Sequence, residues 1–229
     1  MRRSSILILA LAAGTLAAQE APPNLDRRVQ MFAEMSWPTK ITVSQTYGTT
    51  DQPKSQYGIG FRFLGEVASA QNWYYEVGGM LDATSYFTFN GTLPDGSTLN
   101  LTDMKFTDSY WSVGGAYLAK PNENISYGLH LEARGEYLRL QGGAVVSGAT
   151  YQQDHSTTYL RPWVRGSVDY TFTGVGKDAH PYLGFDGCLA VLRTSQTREP
   201  DFTNNNMDDR TVKALAPKYS VAVYGGIRF

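Results

Sequence analysis

The sequence has few of the residues that build redox, metal or nucleic-acid sites. Its 229 residues include one cysteine and three histidines, which excludes an internal disulfide or a thiolate-rich zinc site. Charged residues make up only 18%, with 20 Lys+Arg against 21 Asp+Glu, whereas nucleic-acid-binding domains have a basic excess. No run of about 18 apolar residues follows the first twenty positions, so no transmembrane helix is expected. We therefore expect no cofactor, no metal and no nucleic-acid partner.

The first 18 residues have the pattern of a secretory signal peptide. Arg2 and Arg3 give a positive start, an apolar core covers 6–13, and Leu16-Ala17-Ala18 offers a small-residue cleavage site. The chain is accordingly divided into a signal peptide (1–18), an N-terminal lead-in (19–37) and one domain (38–229). Apolar residues at roughly helical spacing in 24–36 predict a short helix or a flexible lead-in. The signal places the mature protein outside the cytoplasm.

The remainder of the chain alternates between apolar and polar residues. In 125–137 the apolar residues Ile125, Leu129 and Leu131 alternate with polar ones such as His130. A period of two places successive side chains on opposite faces of a β-strand. Eight strands are predicted, near 39–48, 56–66, 73–89, 99–118, 125–140, 157–172, 180–193 and 213–229.

The predicted connections fall into two classes. Short ones lie near 67–72, 119–124 and 173–179. The others are mostly longer and more polar, and lie near 49–55, 90–98, 141–156 and 194–212. Because the two classes alternate, an antiparallel meander places all short turns at one end, together with both ends of the chain.

Alternation alone leaves open whether the apolar face points inward, as in a soluble barrel, or toward lipid. Three features favour lipid. Charges such as Glu132 and Arg165 lie in the polar phase of the strands, where they can pair in a sealed interior. Most predicted strands exceed the roughly 9–11 residues that cross a bilayer. Aromatic residues also gather toward strand ends, as at the two membrane boundaries. The predicted outer belt is Tyr47, Tyr57, Tyr86, Phe87, Phe89, Tyr137 and Tyr159, and the inner belt is Trp73, Tyr117, Tyr127, Tyr170, Phe172 and Phe229.

These features together resemble the small outer-membrane β-barrels of the OmpA/OmpX type. The final strand ends Tyr224-Gly225-Gly226-Ile227-Arg228-Phe229, similar to the signal read by the outer-membrane assembly machinery, although Gly225 interrupts its apolar phase. The resemblance implies an all-β, antiparallel, up-and-down transmembrane barrel in a Gram-negative outer membrane. We expect a monomer in contact with outer-membrane lipids and lipopolysaccharide, with a structural or surface-interaction role and without a peptidoglycan-binding domain.

An eight-stranded barrel is just wide enough to be filled by its own side chains, so a general porin is not expected. Charges inside it must pair, because an isolated buried charge is very costly. The predicted facing pairs of strands five and six are Glu132 with Arg165, Glu136 with Arg161, and Arg134 with Trp163. This register puts the hairpin tip near Ser147-Gly148, whereas a competing register would set Arg134 against Arg165. The same network is expected to include Arg62, Glu76 and Arg228.

An enzymatic role is the main alternative. Some barrels of this architecture modify lipid A, which requires a histidine base beside a serine or a carboxylate. The candidates are His130 near Glu132, the pair His155-Ser156, and His180 at a turn. His155-Ser156 matches no known motif, and His130 and Glu132 share the interior phase, where a packing network would place them. We therefore assign no catalytic residue and expect a non-enzyme. A soluble periplasmic lipid-binding barrel is the third possibility.

Overall fold

The computed structural model shows a closed antiparallel β-barrel. It describes residues 25–40, 47–51, 54–93, 95–174, 178–195, 200–203 and 207–229. The strands are β1 (Arg27–Ser36), β2 (Tyr47–Asp51), β3 (Gln56–Val67), β4 (Ala70–Thr92), β5 (Thr98–Ala119), β6 (Ile125–Val146), β7 (Ala149–Thr171), β8 (His180–Ala190) and β9 (Tyr219–Arg228). Among the described residues there is one helix, α1 (Asp209–Leu215), which precedes β9. No helix in the described ranges is long and apolar enough to cross a membrane.

Eight of the strands form the ring, in the order β1-β3-β4-β5-β6-β7-β8-β9. The ring closes because β9 pairs with β1, from Arg28 opposite Arg228 to Ser36 opposite Ser220. The strand β2 pairs with residues 88–92 of β4. It lies on the same side of β4 as β3, which pairs with β4 between residues 70 and 84. Closure removes the free edges over the rows in which all eight strands pair. The predicted all-β, up-and-down, eight-stranded barrel is therefore confirmed.

The position of the first strand differs from the prediction. The segment expected to be a helix or flexible lead-in contains β1, which pairs with both β3 and β9. Its inward residues alternate strictly, with Arg28 and Glu34 buried and Met31 exposed. Most of the predicted strand at 39–48 lies outside the described residues, and Tyr47 begins β2. The barrel domain thus begins at β1 because closing the ring requires a strand between β9 and β3.

The connections also differ from the prediction at the end of the barrel away from the chain termini, which we call the outer end. The segment 141–156 is almost entirely strand, since β6 and β7 meet at Ser147-Gly148, and β4 continues into the segment 90–98 as far as Thr92. Both residues of that tip have positive φ, 46° and 87°, as a two-residue type I′ hairpin turn requires. The hairpins of β4–β7 therefore extend as a sheet instead of ending in loops.

The predicted last strand also begins too early, because residues 209–215 form α1. The Asp208 side chain accepts a hydrogen bond from the backbone N of Arg210 at 3.0 Å, which satisfies one of the free N–H groups at the start of the helix. Strand β9 begins only at Tyr219.

The apolar phase of the strands faces outward and the charged phase faces inward. Leu129 and Leu131 are 58% and 63% exposed, whereas Glu132 and Arg165 are buried. This arrangement inverts that of a soluble barrel, in which apolar side chains fill the interior. The predicted orientation is confirmed, and the structure is that of a transmembrane barrel.

Candidate functional site: the barrel interior and its outer cap

The middle of the interior is held by ion pairs centred on Arg165. Its Nε lies 2.6 Å from Glu132 Oε1, its Nη1 lies 3.4 Å from Asp186 Oδ2, and its Nη2 contacts Glu76. Arg62 pairs with Asp186 at 2.6 Å. All of these groups are buried. Because these desolvated groups are hydrogen-bonded on several sides, the charges of this cluster compensate one another.

The predicted ion pairs form, but in a different register. Arg165 lies opposite His130, Glu132 lies opposite Trp163, and Arg134 lies opposite Arg161. The register is therefore shifted by two residues from the prediction, although its hairpin tip, Ser147-Gly148, is confirmed. The two-residue turn sets this register. The long side chains then lean along the strands to their diagonal neighbours.

A second pairing predicted from the sequence also forms diagonally. Arg161 donates to Glu136 from Nε at 2.8 Å and from Nη2 at 2.7 Å. Trp163 adds a hydrogen bond from Nε1 to Glu136 Oε1 at 3.0 Å. Arg134 donates from Nε to Glu132 at 3.1 Å. Arg134 and Arg161, which face each other, are therefore each paired with a carboxylate, and this pairing offsets their mutual repulsion.

A separate cluster closes the inner end, where the chain termini lie. Arg28 binds both oxygens of Asp169 from Nη1, at 3.1 Å each. Nearby, the Asp26 carboxylate accepts from Tyr74 Oη and from Lys120 Nζ, each at 2.7 Å. Arg228 reaches the same carboxylate at 3.2 Å. The expectation that Arg228 joins the interior network is thus met at its inner edge, whereas Arg62 and Glu76 lie in the middle.

His130 contacts a carboxylate and a serine at once. Its Nδ1 lies 2.8 Å from Glu76 Oε2 and its Nε2 lies 2.9 Å from Ser167 Oγ. The predicted partner was Glu132, so the sequence missed both groups, which come from distant strands. Arg165 Nη2 also lies 2.8 Å from Nδ1. When this guanidinium donates to Nδ1, the ring proton sits on Nε2 and His130 is not a base toward Ser167.

The other histidine candidates are not brought beside a serine. His155 Nε2 lies 2.8 Å from Asp209 Oδ1, and Ser156 is exposed on the opposite face of β7. His180 begins β8 at the inner end, where its buried Nδ1 has no hydrogen-bond partner among the described residues. The described residues also contain no group of three or more His, Cys, Asp or Glu side chains suited to a metal ion.

An apolar cluster fills the outer end, which we call the cap. Its buried members are Phe87, Phe89, Leu99, Leu101, Met104, Phe106, Leu138, Leu140, Ala144, Phe202, Met207, Val212, Leu215 and Ala216. They come from the inward faces of β4, β5 and β6 and from the segment around α1. Phe87 and Phe89, and also Tyr159, which packs against the cluster, were predicted to be boundary aromatics. That prediction is wrong, because these rings point inward.

Polar contacts fix α1 to the inner face of β7. Asp209 accepts hydrogen bonds from His155 at 2.8 Å and from Thr157 Oγ1 at 2.9 Å. Lys213 lies 3.6 Å from the same carboxylate. The hydrogen bonds from His155 and Thr157, with the charge of Lys213, lower the pKa of Asp209. Gln153 Nε2 also donates to the backbone O of Phe202 at 2.7 Å. The cap is therefore hydrogen-bonded to β7 at both Phe202 and Asp209.

The remaining boundary aromatics whose side chains the structure describes face outward as predicted, and the side chain of Tyr47 lies outside that set. At the inner end, Trp73, Tyr117, Tyr127, Tyr170, Phe172 and Phe229 are exposed; at the outer end, Tyr57, Tyr86 and Tyr137 are exposed. These belts mark the two edges of the lipid-facing surface, since rings with a polar handle favour the water–lipid boundary.

Known structures show a distant likeness. The crystal structure of Ail, the attachment invasion locus protein of Yersinia pestis, in complex with the heparin analogue sucrose octasulfate, is 12% identical, with a TM-score of 0.45 over 90% of this chain and 99% of Ail. Neisserial surface protein A (NspA) is also 12% identical, with a TM-score of 0.45 over 88% of this chain and 95% of NspA. No protein-family model and no curated protein matches the sequence. At this level of likeness, the function has to be inferred from the geometry of the chain itself.

Proposed function

We propose that this chain is a monomeric integral protein of a Gram-negative outer membrane, which acts as a structural and surface-interaction barrel and not as a porin or an enzyme. One observation carries this proposal. Along the same strands, the outward face changes from apolar to polar and the inward face changes from charged to apolar at the height of the outer aromatic belt.

The reversal is clearest on β6. Up to Tyr137 the outward residues are apolar and the inward ones are charged; beyond it, Arg139 and Gln141 point outward while Leu138 and Leu140 are buried. A bilayer crossing takes only about 9–11 strand residues, and β6 has 22. The lower part is therefore suited to hydrocarbon, whereas the upper part is built like a soluble sheet with its own apolar core.

The interior supports a sealed barrel. Five arginines and eight acids are buried among the described residues, and the cap covers them at the outer end. An eight-stranded barrel is filled by such side chains. An ion crossing it would have to separate paired charges and then pass the apolar cap.

The outward face of the extension supports a surface role. Above the lipid boundary it carries exposed, mostly uncharged polar residues, among them Thr88, Asn90, Asn100, Thr150, Gln152, Ser156 and Thr158. In an outer membrane this surface lies at the height of lipopolysaccharide sugars, which we propose as its neighbours. We further propose that the assembly machinery reads the C-terminal strand ending at Phe229.

Labelling with a membrane-impermeant maleimide on whole cells tests the location. In a Cys188→Ala background, which removes the one native thiol, Thr150→Cys is expected to react and Leu131→Cys is expected not to. A soluble periplasmic barrel would leave both sites unlabelled in whole cells and would label both after lysis. Heat-modifiable migration in gels confirms that each variant is folded.

Single-channel recording in planar bilayers tests the sealed interior. We expect no steady conductance from the wild-type protein. A steady open state would contradict both the paired interior and the cap as a seal.

A second candidate function is hydrolysis or acyl transfer on lipid A, favoured by the chain of contacts Ser167–His130–Glu76. Its geometry resembles a nucleophile, a base and an orienting carboxylate. His130 is buried inside the barrel, however, and Arg165 competes for its Nδ1. Mass spectrometry of lipid A from cells with wild-type protein, with Ser167→Ala and without the protein tests this candidate. We expect three identical patterns; a difference removed by Ser167→Ala would establish an enzyme.

A further inference from the structure

A β-bulge in β4 turns a carboxylate out of the barrel interior. The pairing of β4 with β5 shifts between Met80 and Ala83, so that residues 81 and 82 together face one residue of β5. Both are exposed. In a regular strand, Asp82 would continue the buried phase of Glu76 and Met80. The extra residue reverses the phase, and such bulges commonly re-aim a side chain at a functional position.

Asp82 has no partner for its charge on the protein surface. It lies on the outward face of β4, on the inner side of the belt residue Tyr86, and no hydrogen bond or ion pair within the described ranges involves its carboxylate. The charge of Arg139 acts on it from two strands away, but that guanidinium is bound by Asp154 at 2.9 Å and 2.7 Å. An ionisable residue on a lipid-facing wall indicates a functional site, whose partner must here come from the membrane.

A groove of about 380 Å³, which we call the wall groove, lies on the outward face beside Asp82. Its apolar lining comes from four neighbouring strands, in which Ile59, Ala33, Val223 and Phe185 lie side by side in one row. All four are exposed. Ala33 is much smaller than the branched side chains on either side of it, so the wall is hollow there. The volume falls within the range of small-molecule sites, roughly 300–1,000 Å³.

The chemistry of the wall groove suits a lipid with a cationic head group. The groove is continuous with the lipid-facing surface, so an acyl chain can fill it by van der Waals packing. The free carboxylate of Asp82 can accept charge-assisted hydrogen bonds from a primary ammonium. A quaternary ammonium has no N–H to donate, and a phosphate without an amine is repelled by the same carboxylate.

We propose that the wall groove binds an outer-leaflet lipid whose head group carries a primary ammonium. The ammonium pairs with Asp82, and an acyl chain packs over Ala33. Selectivity among lipids then comes from the carboxylate, whereas the groove contributes equally for every lipid with the same chains. The ligand chemistry rests on the lipid-facing wall, and the assignment to the outer leaflet rests on the proposed outer-membrane location.

Native mass spectrometry of the full-length mature protein in a non-ionic detergent tests the carboxylate. The protein is titrated with phosphatidylethanolamine or phosphatidylcholine of identical acyl chains. The wild type is expected to bind the ethanolamine lipid about five-fold more tightly, the upper value for an accessible ion pair. Asp82→Asn keeps the shape and is expected to abolish this preference. The matched control, Asp154→Asn, removes an outward carboxylate above the belt and is expected to retain it.

A second pair of variants tests the groove. Ala33→Leu fills the hollow and is expected to weaken binding of both lipids by roughly five-fold, without changing their ratio. Its matched control is Ala133→Leu, which adds the same bulk to the wall on β6, away from the groove, and is expected to change neither affinity. Heat-modifiable migration verifies that each variant is folded.

Equal affinity of the wild type for the two lipids, or a preference that persists in Asp82→Asn, would overturn the proposal. A dimer in the same spectra that disappears in Ala33→Leu would assign the wall groove to a second copy of the chain, and would also overturn it. Because these titrations are made in detergent and need no cellular location, their failure is distinct from failure of the labelling experiment.

Discussion

Removal of the Arg165 guanidinium is expected to be among the most destabilising single changes in the barrel. The side chain is 1% exposed and contacts Glu132, Asp186 and Glu76. Arg165→Met keeps most of the volume but leaves these carboxylates without their shared cation. Breaking a buried ion pair from one side costs about 3–5 kcal/mol. The expected loss in the free energy of unfolding is therefore about 3–5 kcal/mol.

The matched control is the ion pair of Arg139 and Asp154 on the outward face. It is geometrically good, with Nε–Oδ1 at 2.9 Å and Nη2–Oδ2 at 2.7 Å, but both side chains are exposed, at 40% and 51%. Arg139→Met is expected to cost about 1 kcal/mol or less. Urea titration of tryptophan fluorescence in lipid vesicles measures both variants.

A double variant separates loss of the ion pair from loss of packing. Glu132→Gln in the Arg165→Met background removes a carboxylate that has lost one of its two arginine partners and keeps only Arg134, so it is expected to restore part of the lost stability. A cost below about 1 kcal/mol for Arg165→Met, or a larger cost for Arg139→Met, would refute the paired, desolvated interior.

Three further predictions concern the belt and the cap. Leu131→Arg, in the lipid-facing belt, is expected to cost about 2–4 kcal/mol of unfolding free energy in vesicles, whereas Thr150→Arg at the hairpin tip is expected to have no effect; equal costs would contradict the orientation. Leu215→Ala is expected to destabilise the cap locally by about 2–5 kcal/mol, seen as faster proteolysis of 191–218 with unchanged gel migration of the barrel. Because the pKa of Asp209 is lowered, its contribution to the cap is present above the ordinary carboxyl value of 3.8 and is lost as the pH falls below it; hydrogen exchange in α1 should show this loss, and Asp209→Asn should abolish it.

The interior groups could be predicted from the sequence only as a set. The phase of β6 assigned His130, Glu132, Arg134 and Glu136 to one face, and that face is buried. Their partners could not be assigned, since Glu76 and Ser167 reach His130 from strands 54 and 37 residues away along the chain. Such contacts depend on barrel closure and on side-chain reach, neither of which leaves a local pattern.

The cap was missed for a different reason. Phe87 and Phe89 lie near a strand end, which favours a boundary aromatic, but the strand continues to Thr92 and carries both rings inside. The available signal was the change of chemistry without a change of phase, as in β6 beyond Tyr137. This switch from charged to apolar inward residues can be interpreted only once a helix such as α1 is known to cover the inward face of the strands at the outer end.

The sequence by itself determined that the chain is a meander of β-strands with one apolar and one charged face, because alternation is a local property that each strand expresses alone. Together with the strand lengths and the aromatic residues near the strand ends, it also favoured the orientation in which the apolar face meets lipid, because the charges on the other face can pair in a sealed interior. Only the tertiary structure decided which segment closes the ring, which register the hairpins adopt and what covers the outer end. These features depend on pairing between strands far apart in the chain, where a shift of two residues preserves every face and changes every partner.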